Sequence, residues 1–349
     1  MSEIHRVMYN LIVGMQQWQK SSFKDIPKQF LDGFQQFIYL CAKFDVEPPL
    51  DIPSLIQRLQ LPASEWGIPE IEQLFPSEGR LLDLDIGLSL EADEFLEVYA
   101  HPNEYEQAAM KDILVYCRDQ SLDKEYCKIR TFLSMPKHAV IAYQDLYFFL
   151  VEIGDEALID KIKKCYEEIS DLSRYRKCPH CGWTLEWING NWRCNKENVC
   201  HVRADFHMPE EFPKSNMRYF RMTRGIHRYT LLPGISEHNI AERLSNKGYS
   251  VQMYPEIDNF DILVKCNGQT LALDVKDFYN PFYLAQYICQ KRFEQDWNED
   301  VWYVIPSYRL EIFPAYIQQV KIYIRDKINE NIRFLSEGEL YKKVGALLV

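Results

Sequence analysis

Asp274 and Lys276 stand two residues apart in the apolar run LALDVK (271–276), and a second run just upstream, FDILVK (260–265), carries Asp261. Read as a strand, LALDVK puts Leu271, Leu273 and Val275 on one face and Ala272, Asp274 and Lys276 on the other. The Asn267-Gly268 pair between the runs predicts an antiparallel hairpin, in which a suitable register sets Asp261 beside Asp274. Adjacent carboxylates repel unless they are neutralised, and burying either is costly. A divalent cation resolves both problems, and hard oxygen ligands with water positions left open suit Mg2+ or Mn2+. The simpler alternative is an Asp274–Lys276 ion pair on a solvated strand face.

A second chemistry resides in CPHCGWTLEWINGNWRCNKENVC (178–200), which holds four of the ten cysteines. Cys178 and Cys181 can reach one tetrahedral ion, with Gly182 relaxing the turn. TLEWINGNWRC predicts two short strands about an Asn189-Gly190 turn that carry Cys194 back to the first pair. Cys200 follows Cys194 after a gap of five residues, which makes His201 a rival fourth ligand, with His180 and His207 behind it. Four protein ligands leave no open position, so Zn2+ held here is structural, stabilising a ribbon too small to fold alone. Cys41, Cys117, Cys127, Cys165, Cys266 and Cys289 sit in apolar surroundings and are expected to be buried free thiols.

These residues need elements to position them. In PGISEHNIAERLSNKGYSVQMYPE (233–256), Pro233-Gly234 predicts a break. A helix from about Ser236 to Lys247 follows, with Glu237 in its first turn, and then a strand in YSVQMY. Downstream come a helix over 283–297, a strand over 300–306 and a helix over 316–332. Residues 1–170 read as mainly helical. Three helices are expected at 123–134, 141–152 and 155–169, forming either a winged-helix-like unit or a plain packing module. The expected fold class is α+β and multidomain. It comprises a helical N-terminal region (1–103), a three-helix module (104–171), a zinc ribbon (172–212) and a C-terminal α/β core (213–349).

The order helix, three strands, helix, strand, helix, with Glu237, Asp261 and the triplet Asp274-Val275-Lys276, resembles the PD-(D/E)XK superfamily of restriction-endonuclease-like nucleases over about 226–330. Two departures stand out. Phe260 rather than proline precedes Asp261, while Pro255 and Asp258 lie a little earlier, so Asp258 is a second candidate for the first acid. Asp274 stands where glutamate is commoner. KIRTFLSMP (128–136), CPHCGW (178–183), PEIDNFDILV (255–264) and LALDVKDFYNP (271–281) also look like the restriction-type endonuclease associated with prokaryotic PIWI-RE proteins, over most of 104–349.

The resemblance implies a Mg2+-dependent DNA endonuclease in a defence system against invading DNA, with a PIWI-like protein and a helicase as partners. It implies that Asp261, Asp274 and the Val275 carbonyl bind Mg2+ and that Lys276 positions the attacking water. Glu237 would hold a second metal or orient water, and Gln286 or Gln290 would touch phosphate. A rival from another class is a catalytically inactive nucleic-acid-binding or scaffold subunit.

Charge agrees with a divided chain. The net charge is −11, yet 171–349 carries 24 basic against 22 acidic residues, and 172–231 carries 11 against 5. A polyanion would meet only the C-terminal half. There KSNMRYFRMTRGIHRY (214–229) interleaves basic and aromatic residues suited to phosphate contact and stacking, or forms a solvated linker. The acidic 1–170 disfavours a transcription factor. No apolar run approaches the ~20 residues that span a bilayer. The N-terminal stretch lacks a basic lead, apolar block and cleavage site, so no membrane partner and a cytoplasmic location are expected. An oligomer is compatible with this sequence.

Overall fold

The computed structural model describes residues 2–21, 23–83, 87–99, 108–188, 190–195, 197–213, 217–266, 268–294, 301–325 and 333–346. The chain divides into two compact units: Met1–His101 with Phe278–Trp297 and Phe313–Glu330, and Pro102–Asp277 with Asn298–Ile312 and Asn331–Val349. The grouping cuts across the linear order, since two helices from the C-terminal third join the N-terminal region.

The first unit is helical. Helices Glu3–Lys20 and Lys28–Lys43 approach so closely that a Cβ on Gly14 would lie 2.4 Å from the Phe30 nitrogen. Phe37 meets Trp66 edge-on at 5.5 Å, and Phe75 stacks on Phe95 at 5.4 Å. Helix Pro281–Glu294, which carries Gln286 and Gln290, starts on a buried acid. The Glu94 carboxylate accepts from the amides of Tyr279 and, at 3.0 Å, Asn280. A carboxylate there satisfies amides that lack intrahelical partners and meets the positive end of the helix dipole.

The second unit is built on three sheets. Strand β1 (Val140–Ala142) follows helix Asp123–Leu133, and β2 (Tyr166–Ile169) follows helices Tyr143–Ile153 and Glu156–Lys163. Next come β3 (Arg176–Lys177), β4 (Thr184–Ile188) and β5 (Asn191–Arg193), which form a sheet of their own. Strand β6 (Tyr219–Met222) then returns to pair antiparallel with both β1 and β2, so the cysteine-bearing segment is inserted between two hydrogen-bonded strands. Its Trp183, Leu185 and cysteines share one core with Tyr126, Ile129, Leu133 and Ile226.

The third sheet runs in the order β11-β10-β9-β8-β7. Its strands are β7 (Ser250–Met253), β8 (Ile262–Cys266), β9 (Gln269–Val275), β10 (Val301–Ile305) and β11 (Arg333–Ser336). The β7–β8 and β8–β9 pairs are antiparallel, whereas β9–β10 and β10–β11 are parallel. Leu273, Val275, Ile262 and Val264 pack on Ile240, Ala241 and Leu244 of helix Leu232–Asn246 and on Leu340 and Val344 of helix Glu337–Ala346. The alternation expected of LALDVK is the one observed.

Three expectations are corrected. The helix expected over 155–169 ends at Lys163, and Tyr166–Ile169 is a strand. A four-residue YEEI has no periodicity of its own, and β6 decides its state. Pro233-Gly234 does not break the chain. Helix runs from Arg224 through a π turn at His227–Leu231 into Leu232–Asn246, so Glu237 lies well inside it. Proline lacks the N–H of an ordinary turn, and the wider turn accommodates that gap. The basic stretch over 214–229 is not a free linker in its described part. Arg218 pairs with Glu168 at 2.6 Å and Arg221 with Glu167 at 2.6 Å, while residues 214–216 lie outside the described residues. Asn189 and Asn267 also lie outside them, but Gly190 (φ +81°) and Gly268 (φ +77°) turn the two hairpins as expected.

Candidate active site and candidate metal centre

The carboxylate pair forms where β8 begins. The ladder pairs Ile262 with Leu273, so one residue further places Asp261 opposite Asp274. There the Asp261 side chain takes over from the backbone, its Oδ2 accepting from the Val275 amide at 2.6 Å. Lys276 is fixed by its own amide donating to the Val304 carbonyl at 3.0 Å. Its Nζ donates to Asp274 Oδ1 at 2.6 Å and lies 3.9 Å from Asp261 Oδ2. Burial first, then the neighbouring charges of Glu237 and Asp274, raise the Asp261 carboxyl well above its ordinary range against the opposing pull of Lys276. Two crowded carboxylates that retain a proton in this way are a donor set suited to a hard divalent cation.

The chain reaches Asp261 through an unusual turn. Tyr254, Glu256, Ile257 and Asp258 all have positive φ, between 50° and 64°. L-residues adopt this conformation at about 1–2 kcal/mol each, so the surroundings must hold it. Arg118 donates to the Ile257 carbonyl at 3.1 Å, Asp123 accepts from the Ile257 amide at 2.9 Å, and Tyr126 donates to Asp258 at 2.6 Å. Asp258, the alternative first acid, is thus engaged by Tyr126 and lies 3.9 Å from Arg130 Nε.

Glu237 is placed differently from its expected role. It is buried, with both oxygens 3.4 Å from Arg130 Nη2, and it accepts from Tyr254 Oη at 2.7 Å. Arg130 also donates to Ser134 Oγ at 2.9 Å and to the Thr230 carbonyl at 2.8 Å, on the π turn. Helix Asp123–Leu133 can deliver Arg130 because Gly234 has no side chain, since a Cβ there would lie 2.4 Å from Ser134 Cβ. Burial raises the Glu237 carboxyl although Arg130 opposes it. Among the described residues, no carboxylate group of three or more gathers within 4.8 Å, and the only such metal-ligand cluster is made of cysteines. Asp261, Asp274 and Lys276 come together, and Glu237 stands behind them in its own ion pair. Gln286 and Gln290 belong to the other compact unit.

Sequence reasoning missed Asp277. It accepts from Tyr308 Oη at 2.5 Å and from Arg309 Nε at 2.7 Å, and Arg309 is buried. This anchors the chain directly after Lys276. Arg203, from the cysteine-bearing insertion, lies 4.3 Å from the centre of the Tyr308 ring. The signal was present in DVKD, where a second acid follows the lysine.

The cysteine centre is compact. Cys178, Cys181, Cys194 and Cys200 are buried free thiols whose sulfurs all lie within 4.8 Å of one another, an arrangement that can hold a metal ion. Cys178 and Cys181 come from the turn after β3, Cys194 from the end of β5 and Cys200 from helix Glu197–Arg203. Hydrogen bonds from Cys178, Cys181 and Cys200 lower the Cys194 thiol despite burial. Cys200, rather than its exposed neighbour His201, completes the set, and His201 stacks on Phe206 at 3.8 Å. His180 and His207 are likewise outside it.

Residues 234–348 match the family model described as "REase associating with pPIWI_RE". The resemblance to the PIWI-RE-associated restriction-type endonuclease, drawn from short motifs, is borne out over this stretch, which includes Glu237, Asp261, Asp274 and Lys276. No curated protein and no solved structure matches the chain. Among the described residues, no helix is long and apolar enough to cross a membrane.

Proposed function

We propose that this protein is a metal-dependent DNA endonuclease acting in a prokaryotic defence system alongside a PIWI-like protein, with a helicase as a further partner. The observation that carries this reading is the facing pair Asp261 and Asp274 with Lys276 hydrogen-bonded to it, at the end of adjacent central strands. The family match supports the same reading.

A Mg2+ or Mn2+ ion held by Asp261, Asp274 and the Val275 carbonyl would supply Lewis-acid polarisation of the phosphodiester and acidify a water. Lys276 holds its ammonium against Asp274, where it orients that water and offsets charge developing on the phosphoryl oxygens. Arg309 and Tyr308 fix Asp277 and so restrain the Lys276 backbone. Glu237 acts from behind, its charge felt by Asp261 and Lys276. In the cysteine centre, Cys178, Cys181, Cys194 and Cys200 would hold Zn2+ with four thiolates, which suits a structural role.

Plasmid cleavage with Mg2+ tests the site. Wild type should cut, and Asp274→Ala and Lys276→Ala should each lose 10²-fold or more of the rate, on the order of one electrostatic catalytic group. Equal cutting by all three rejects it. A second reading, a non-catalytic DNA-gripping or scaffold subunit, is favoured by the engagement of Glu237 with Arg130 and Tyr254. No cutting by the wild type, even with its PIWI-like partner present, combined with retained DNA binding, would support it.

A further inference from the structure

His227 belongs neither to the carboxylate pair nor to the cysteine set, yet it is fully buried and aimed at the sulfurs. Its Nε2 lies 3.2 Å from Cys181 Sγ and 3.9 Å from Cys194 Sγ. The ring stacks on Trp183 at 4.6 Å with 24° between planes, and Trp183 is fixed in turn by its Nε1 donating to the Met222 carbonyl at 2.8 Å. On the opposite side of the ring, Asn195 Nδ2 faces Nδ1 at 3.3 Å. An amide NH2 only donates, so Nδ1 is placed to accept, which leaves the ring N–H on Nε2. That proton is directed at the sulfurs.

The position of His227 adds to this. It is the first residue of the π turn, and the helix continues without interruption to Glu237. π turns occur often at functional sites. A divalent ion with four thiolates carries a net charge of −2, and a buried charge needs hydrogen bonds. Partners of this kind tune both the retention of a metal and the orientation of its ligands.

We propose that His227 is a positioning residue of the cysteine centre. Its Nε2–H donates to the Cys181 and Cys194 thiolates, stabilises the metal-loaded state and fastens that centre to the helix carrying Glu237. The proposal rests on the reading of the four cysteines as a metal centre and is independent of nuclease activity.

The test uses the full chain as wild type, His227→Ala, His227→Gln and Asn195→Ala. Zinc content and competition with a chromophoric chelator give stoichiometry and affinity, Co2+ absorption gives the ligand set, and hydrogen exchange follows 224–246. Wild type should bind one zinc at the cysteines and show a four-sulfur Co2+ spectrum that no variant changes. His227→Ala should lose 10- to 100-fold in zinc affinity, the usual range for such partners. It should also exchange faster over 224–246 with zinc still bound. His227→Gln, which retains an N–H donor, should recover most of the affinity, and Asn195→Ala should lose severalfold. If His227→Ala fails to fold, Asn195→Ala decides the matter: wild-type affinity in that variant overturns the proposal. A wild-type Co2+ spectrum of three sulfurs and one nitrogen, lost in His227→Ala, overturns it by making His227 a ligand. One zinc with unaltered affinity in His227→Ala overturns it as mere packing. No zinc in the wild type overturns the metal reading together with the proposal.

Discussion

Asp261 sits where burial and two like charges favour the proton, and this has a consequence for stability. The unfolded chain loses that proton near 3.8, whereas the folded chain keeps it to a higher pH. The native state therefore binds more protons across the interval, and metal-free protein loses stability as pH rises through it. Asp261→Asn has no such charge to bury and can still accept from Val275. Without metal it should melt above the wild type at about pH 8, with the difference closing towards about pH 4. Differential scanning fluorimetry with chelator present would read this. Mg2+ must displace the same proton, so its affinity should increase with pH over the same range. The Arg130–Glu237 pair makes a different demand. Arg130→Met leaves a buried carboxylate with only Tyr254, at a cost of about 3–5 kcal/mol. Adding Glu237→Gln should restore a large part of it, as measured by urea denaturation.

At the scale of elements, Gly182 marks a close approach of the cysteine-bearing insertion to the backbone at Pro136. Its φ is +72°, and a Cβ would meet the Pro136 carbonyl oxygen at 2.1 Å. Gly182→Ala combines left-handed strain with a backbone clash and should cost more than the roughly 1–3 kcal/mol of ordinary overpacking. A lower denaturation midpoint together with weaker zinc retention would report it. The left-handed turn before Asp261 behaves in the opposite sense. Glu256 is exposed with φ +54°, so Glu256→Gly should stabilise by about 0.5–1 kcal/mol, relief of strain exceeding the added chain entropy.

These elements differ in how far the sequence announces them. LALDVK shows its two faces because alternation has a period of two, and CPHC with a Gly-centred hairpin shows its knuckle because turn chemistry is local. Tyr166–Ile169 does not, since its state depends on a strand some fifty residues on. Pro233-Gly234 misleads, because the signal of a break is the same whether a helix starts or a π turn absorbs the defect. The partnership of Glu237 with Arg130 was hidden for a similar reason. Nothing within either helix shows that Gly234 will admit Ser134. His227 lay outside every metal-ligand spacing, and the fold alone brings it to the sulfurs.

For the molecule as a whole, the cysteine centre shares a core with the helices that hold the turn before Asp261. Stripping the metal should therefore do more than unravel 176–203. Binding energy at such sites is folding energy, so chelation should lower the melting temperature of the second unit and speed hydrogen exchange in β1, β2 and β6. A loss confined to the insertion would contradict this. The insertion also separates two strands that must find each other, with Ile169 paired to Tyr219. Until it is closed, β6 is tethered to β2 by a slack loop whose ends meet only against chain entropy. A metal ion gathering the four cysteines would tie a little under half of that loop, 178–200 out of 170–218, into a knot of fixed size. Such an ion would act as a chaperone built into the chain: refolding should be fast when zinc is present from the start and slow when it is added late.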